Sequence, residues 1–215
     1  MTTVGEPVTT SPLPSETRLK MSYADFLAWA GEDVHAEWVN GEVFVYMTAS
    51  SLHQRLVVFL TWLLQGYVNN LDLGEVFTGP MQTKLSPEGS GREPDVFFVA
   101  AQNLGRVSEM KLDGPPDLVI EVVSDESTSR DRVDKFEEYE EAGVREYWII
   151  DPRPRRRRAD FYQLGLDGKY QPVPTAPEGI YRSQVLPGFW LRVDWLWQEP
   201  LPKLSPTLEA IKRSA

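Results

Sequence analysis

PPDLVIEVVSDESTSRDRVDKFEEYEEAGVREYWIIDP, residues 115–152, holds two apolar runs separated by a charged stretch. DLVIEVV, residues 117–123, reads as a strand, and so does REYWIID, residues 145–151. Between them residues 130–142 read as a helix that Gly143 ends. One residue in the first strand is out of character. Glu121 sets a carboxylate in the middle of an apolar run. Either the run lies at a sheet margin, where the acid meets water or an arginine, or the acid faces a site that needs negative charge.

Working outward, Ser22 is placed to cap a short helix, YADFLAWA, that stops at Gly31. In HAEWVNGEVFVYM, Asn40-Gly41 sits between two alternating runs and predicts a tight hairpin. Residues 50–70 predict a long helix with Leu52, Leu56, Phe59, Leu60, Leu63 and Tyr67 on one face. Strands are expected near 75–78 and 81–85, in PDVFFVA, in ADFYQL, and near 169–173 and 180–193. The alternation of helices, hairpin and strands predicts a mixed α/β domain around a central sheet. Residues 1–17, rich in Thr, Ser and Pro, read as a disordered tail, 18–200 as the folded domain, and 201–215 as an extension with a short helix.

Composition narrows the class. The chain of 215 residues carries seven tryptophans and 41% hydrophobic residues, as a globular domain with a real core does. It has no cysteine, which excludes disulfides, zinc–cysteine sites and thiol nucleophiles. The first twenty residues lack the apolar segment of a secretion signal, and the longest apolar run, LVVFLTWLLQGYV at 56–68, falls short of the roughly 20 residues a membrane span needs. A cytoplasmic protein with no membrane partner is the expectation. A net charge of −10 argues against broad non-specific affinity for duplex DNA, while leaving room for a local basic patch or for divalent metals held by clustered acids.

Strand alternation makes the geometry of the acids explicit. Asp95, Phe97 and Val99 point to one side of their strand, and Asp117, Val119, Glu121 and Val123 share one side of theirs. If the two strands are neighbours, Asp95 and Glu121 converge at one end of the sheet. Paired carboxylates repel, and a hard divalent cation relieves that repulsion, so the pair suits Mg²⁺ or Mn²⁺. A structural ion pair is the alternative.

Asp95 in EPDVFF followed by Glu121 in LVIEVV resembles the PD-(D/E)XK nuclease superfamily. The longer string over 115–152, together with HAEWVNGEV, the helix starting near His53 and the late IYRSQVLPGFWL, is similar to the Uma-type (Uma-two) endonuclease family over roughly residues 20–197. The resemblance implies a restriction-endonuclease-like fold and a metal-dependent nuclease in which Asp95 and Glu121 hold the metal. It also implies a lysine two residues after the glutamate, where this chain has Val123. Asp131, Lys135 and Tyr139, spaced to line one helix face, match a D-x-x-x-K-x-x-x-Y pattern in which Lys135 looks like a migrated catalytic lysine. The plainer alternative is an Asp131–Lys135 salt bridge on a helix surface.

Other candidates carry two readings each. Glu37 completes the metal site or is the polar side of a hairpin strand. His53, one of two histidines with His35, approaches the acids as a proton carrier or faces solvent at a helix start, the commoner arrangement. Arg92 meets a phosphate or pairs with Glu93. RPRRRR at 153–158, with Arg155, Arg156, Arg157 and Arg158 together, tips a hairpin and is either a solvated charge run or the phosphate-gripping feature of the chain. Trp190, Trp195 and Trp197 are core, or cover a second subunit in a homodimer. The reading is therefore a Mg²⁺- or Mn²⁺-dependent endonuclease acting on nucleic acid, DNA foremost. The alternatives are a catalytically quiet binder of nucleic acid or protein, and a metal hydrolase acting on other phosphoesters.

Overall fold

A computed structural model describes residues 17–30, 36–45, 50–124 and 133–213. The expectations for residues 1–16, for His35 and for Asp131 lie outside these residues. In chain order, β1 (Thr17–Lys20) leads to α1 (Tyr23–Ala30), the strands β2 (Ala36–Val39) and β3 (Glu42–Val45), and α2 (Ser51–Val68). Then come β4 (Gly74–Thr78), β5 (Gln82–Lys84), β6 (Gly91–Arg92), β7 (Val96–Ala100), β8 (Lys111–Asp113) and β9 (Leu118–Val122). After α3 (Lys135–Ala142) follow β10 (Glu146–Asp151), β11 (Arg158–Leu164), β12 (Tyr170–Pro172), β13 (Ile180–Arg182), β14 (Trp190–Arg192) and α4 (Leu204–Arg213).

Local chemistry sets the boundaries. Ser22 Oγ accepts from the Asp25 amide at 3.1 Å to start α1, and Ser50 Oγ accepts from the His53 amide at 3.2 Å to start α2. Asn40 and Gly41, at φ 49° and 87°, make the two-residue turn between β2 and β3. Gly143, at φ 84°, closes α3 in a left-handed conformation.

The strands form two six-stranded sheets and a small pair. One sheet runs β1-β3-β2-β6-β5-β8 and the other β12-β11-β10-β9-β7-β4. Within the second, β9 and β10 are parallel, with α3 in the connection between them, and β7 lies antiparallel to β9. Every residue of β7, β9 and β10 is buried, because both faces of this sheet are covered. Leu56, Leu60, Leu63 and Tyr67 of α2 cover one face with Val96, Phe98, Leu118, Ile120 and Val122. Tyr139 of α3 covers the other with Phe97, Val99, Val119 and Val123. Leu208 and Ile211 of α4 join the α2 side of the core.

Three expectations change. Leu52, placed on the apolar face of the long helix, is instead exposed. His53, expected more readily in solvent, is buried, taking that place on the inward stripe. β1, β6 and β8 were not anticipated, and Thr17, placed in the N-terminal tail, belongs to β1; strands of two to four residues leave little alternation to read. Trp190 is buried in the main core, with Trp195 and Trp197 packed against it. Among the described residues no helix is long and apolar enough to cross a membrane.

Candidate active site

The chain leaves the first sheet at β6 and enters the second at β7, with Glu93, Pro94 and Asp95 as the link. That passage brings the hairpin, the two-acid motif and α3 into one place. Val96 pairs with Ile120 and Phe97 with Val119, so one step beyond the ladder Asp95 stands opposite Glu121. The alternation holds: Val96 and Ile120 face α2, while Phe97 and Val119 face α3. Asp95 and Glu121 therefore belong to the same register row. Asp95 Oδ2 accepts from the Val122 amide at 2.7 Å, which ties it to the backbone directly after Glu121.

Lys135 and Tyr139 lie one turn apart on α3 and both reach Glu121 Oε1, at 2.8 Å and 2.9 Å. Lys135 Nζ also lies 3.0 Å from Glu37 Oε1. β2 gives Ala36 and Trp38 to the small core beneath α1, so Glu37 turns the opposite way, toward α3. Arg92 Nη1 donates to Glu37 Oε2 at 2.8 Å, and its Nε and Nη2 grip Glu138 at 2.7 Å and 2.8 Å. A continuous chain of opposite charges results, from Glu121 through Lys135, Glu37 and Arg92 to Glu138. Arg92 was expected to meet phosphate or Glu93; it is fully buried and pairs with Glu37 and Glu138 instead.

His53 Nε2 sits 3.1 Å from Asp95 Oδ2, with the histidine only 8% exposed. This corrects the solvent-facing reading: α2 brings the ring to the acid. Asp117, the other acid on the Glu121 strand, has a structural task. Its carboxylate accepts from the Ala100 amide at 2.8 Å and from Asn103 Nδ2.

Burial and charge tune the surroundings. For Arg92 burial alone would lower the pKa, but the Glu37 and Glu138 carboxylates outweigh it and hold the guanidinium well above its ordinary range. Burial first, and then the Glu121 charge, raise Tyr139 well above an ordinary phenol, so its hydroxyl stays a donor. Glu93 is pushed up to about 8, by burial first and by the Glu37 carboxylate, against the opposing bond from Gln82 and the Lys135 charge.

Sequence reasoning did not find Glu138, and it offered the half-buried Glu93 only as a partner for Arg92. Glu138 had a signal, its spacing of three from Lys135, which places the two on one helix face. The arginine run tips the β10–β11 hairpin: Arg153 is held by Asp151 at 2.7 Å and Arg158 pairs with Asp160, while Arg155, Arg156 and Arg157 are exposed. These arginines do not join the charge chain. Among the described residues no cluster of three or more His, Cys, Asp or Glu side chains is placed to hold a metal.

A family model described as "Uma2: Putative restriction endonuclease" matches residues 23–194. The chain belongs to this family. It is similar to a crystal structure of "a putative nuclease belonging to DUF820 from Anabaena variabilis", with TM-score 0.67 and 13% identity over 82% of this chain and 97% of that chain. At that identity the likeness concerns the fold, which is restriction-endonuclease-like. No curated protein matches. The Uma2 match spans every part of the charge chain, from Glu37 on β2 to Glu138 on α3.

Proposed function

We propose that this Uma2 chain is a metal-dependent endonuclease that hydrolyses nucleic-acid phosphodiester bonds, with water as the nucleophile and DNA as the foremost substrate. Asp95 and Glu121 are the residues that would hold Mg²⁺ or Mn²⁺. What supports this is the register and the donor type: extending the β7–β9 pairing one step sets Asp95 opposite Glu121, and two carboxylates are the share a protein commonly gives Mg²⁺, with water and phosphate oxygens supplying the rest. When bound, such a cation polarises the phosphate and lowers the pKa of a water.

The observation that carries this reading is the approach of Lys135 Nζ to 2.8 Å from Glu121, delivered by a helix to the acid whose own strand offers Val123 two residues on. In that place the ammonium orients the attacking water and steadies negative charge on the phosphate. Glu37 and Arg92 hold the lysine from behind, Tyr139 fixes the Glu121 carboxyl, and His53 fixes Asp95. A second reading, a catalytically quiet binder, draws support from the same chain, because Lys135 and Glu121 neutralise each other in the protein as it stands.

Plasmid nicking with Mg²⁺ or Mn²⁺ tests the proposal. Glu121→Gln and Lys135→Ala are expected to abolish nicking, and calorimetric Mn²⁺ binding is expected to be lost in Glu121→Gln. Nicking that persists unchanged in both variants sinks the mechanism. Mn²⁺ binding and hydrolysis of small phosphoesters without action on nucleic acid would assign the site to another hydrolase.

A further inference from the structure

Beside the start of α2 lies a cavity of about 810 Å³. Leu52, Val58 and Phe59 of α2 form one wall, and Leu196, Trp197 and Leu201 form another. Two guanidiniums border this apolar cleft, Arg55 from α2 and Arg157 from the arginine tip of the β10–β11 hairpin. On a chain of net charge −10, two cations here border a cleft that the exposed apolar Leu52 and Val58 also line. We infer that the cleft binds single-stranded nucleic acid, seating an unpaired base against Trp197 and a neighbouring phosphate between Arg55 and Arg157. This inference rests on the nuclease reading and names the form of its substrate.

The position fits. Ser51, Leu52 and Gln54 line the cleft, and His53, between them, turns inward to Asp95. Cleft and acids thus lie on either side of the first turn of α2, separated by about the 10 Å thickness of a helix. A strand held in the cleft is carried toward the acids within a few nucleotides.

The chemistry selects the unpaired form. A duplex presents base edges and phosphates, while its base faces are stacked away, so an apolar wall with an indole has little to contact. An unpaired base offers a flat apolar face, which aromatic side chains bind with little regard to sequence. Arg also matches phosphate oxygens in a bidentate manner. A second copy of this chain suits the cleft poorly. A two-fold contact needs a self-complementary patch, and among the described residues this one offers two cations against the single carboxylate of Glu199. That carboxylate lines the cleft itself: Glu199 Oε1 is 3.9 Å from Arg55 Nη1, with the two side chains 84% and 62% exposed. So loose a pair yields readily to a phosphate.

The test is fluorescence anisotropy of the full chain in EDTA, with labelled deca-thymidylate and with a labelled duplex of equal length. The unpaired strand is expected to bind more tightly than the duplex. Trp197→Ala should weaken single-strand binding roughly 5- to 150-fold, while Trp197→Phe, which keeps a stacking ring, should retain most of it. Arg157→Ala and Arg55→Ala should each lower the slope of log affinity against log salt by about 0.7. Glu199→Gln should tighten binding. Equal affinity of wild type, Trp197→Ala and Arg157→Ala for the strand overturns the inference; so does a duplex bound as tightly as the strand. A dimer in sedimentation that Val58→Asp dissolves without changing oligonucleotide affinity also overturns it, by assigning the cleft to a second copy. Because none of these variants alters Asp95, Glu121 or Lys135, loss of strand binding and failure of the nicking test remain separate results.

Discussion

Arg92→Met is expected to be among the most damaging single substitutions in this protein. Arg92 is 0% and Glu37 1% exposed, and with Lys135 and Glu121 they place two cations against two carboxylates deep in the protein. Methionine fills similar space without charge and leaves two buried carboxylates to share one lysine. Breaking a buried pair in this way costs about 3–5 kcal/mol, which in a chain of this length lowers the melting temperature by roughly 6–20 °C. Glu138 adds little to the deficit, since its side chain is 23% exposed and can turn to water. The informative partner is the double variant Arg92→Met with Glu37→Met. It restores one lysine against one glutamate, so it is expected to be more stable than Arg92→Met alone by about 2 kcal/mol or more. Urea unfolding followed by fluorescence of the seven tryptophans measures both, provided the m-value is unchanged. If Arg92→Met falls within about 0.5 kcal/mol of wild type, or the second substitution only adds to the loss of the first, the charge chain is not organised as described.

Glu93 predicts a pH dependence in metal-free protein. Its folded carboxyl is pushed from 4.5 to about 8, by burial first, so between those values the folded state binds more protons than the unfolded one. Stability contributed by the protonated acid is complete below pH 4.5 and is lost as pH rises toward 8. Glu93→Gln should flatten the fall, melting above wild type at pH 8 and near it at pH 5 in EDTA, and parallel melting curves would contradict the assignment. Tyr139→Phe removes a buried donor to Glu121 Oε1 while keeping the ring; an expected loss of about 1–3 kcal/mol is read from denaturant midpoints. Asp117→Ala strips the Ala100 amide and Asn103 of their acceptor, at a similar cost of about 1–3 kcal/mol. Its nicking rate at a permissive temperature should match wild type, and a selective loss of activity would give Asp117 a role in the site.

What the sequence made legible follows the range of each interaction. The Asn40-Gly41 turn, the Ser22 cap and the Gly143 stop depend on residues a few positions apart, and all were readable. The strands β7, β9 and β10 were readable because each is a mostly apolar run of five or six residues. β6 and β8 were not, since their identity as strands comes from partners far along the chain, Trp38 and Thr83 for β6 and β5 for β8. His53 was misplaced although its spacing gave the answer: positions 53, 56, 60, 63 and 67 recur on one helical stripe, and Leu52 falls beside it. The pairing of Arg92 needed both sheets, because Glu37 arrives from the hairpin and Glu138 from α3. Neither lies near it in sequence.

Val123 bears on why the ammonium beside Glu121 comes from a helix. On the same side of β9 as Glu121, that position is packed with Tyr139 and Val144 beneath α3, and an ammonium there would be set among apolar groups. Supplied from α3, the amine instead meets Glu121 and Glu37 while its stem stays buried. Such an arrangement is costly as architecture. Buried ion pairs are often replaceable by apolar residues of similar volume with no loss of stability, so four buried charges in a row are a poor way to hold two sheets together. They are a good way to hold one ammonium at a fixed point. Removing Glu37 should therefore loosen Lys135 more than it weakens the fold, and the double variant described above should nick plasmid poorly while unfolding later than Arg92→Met. If it nicks as well as wild type, the charge chain serves stability alone, and Lys135 does not depend on it.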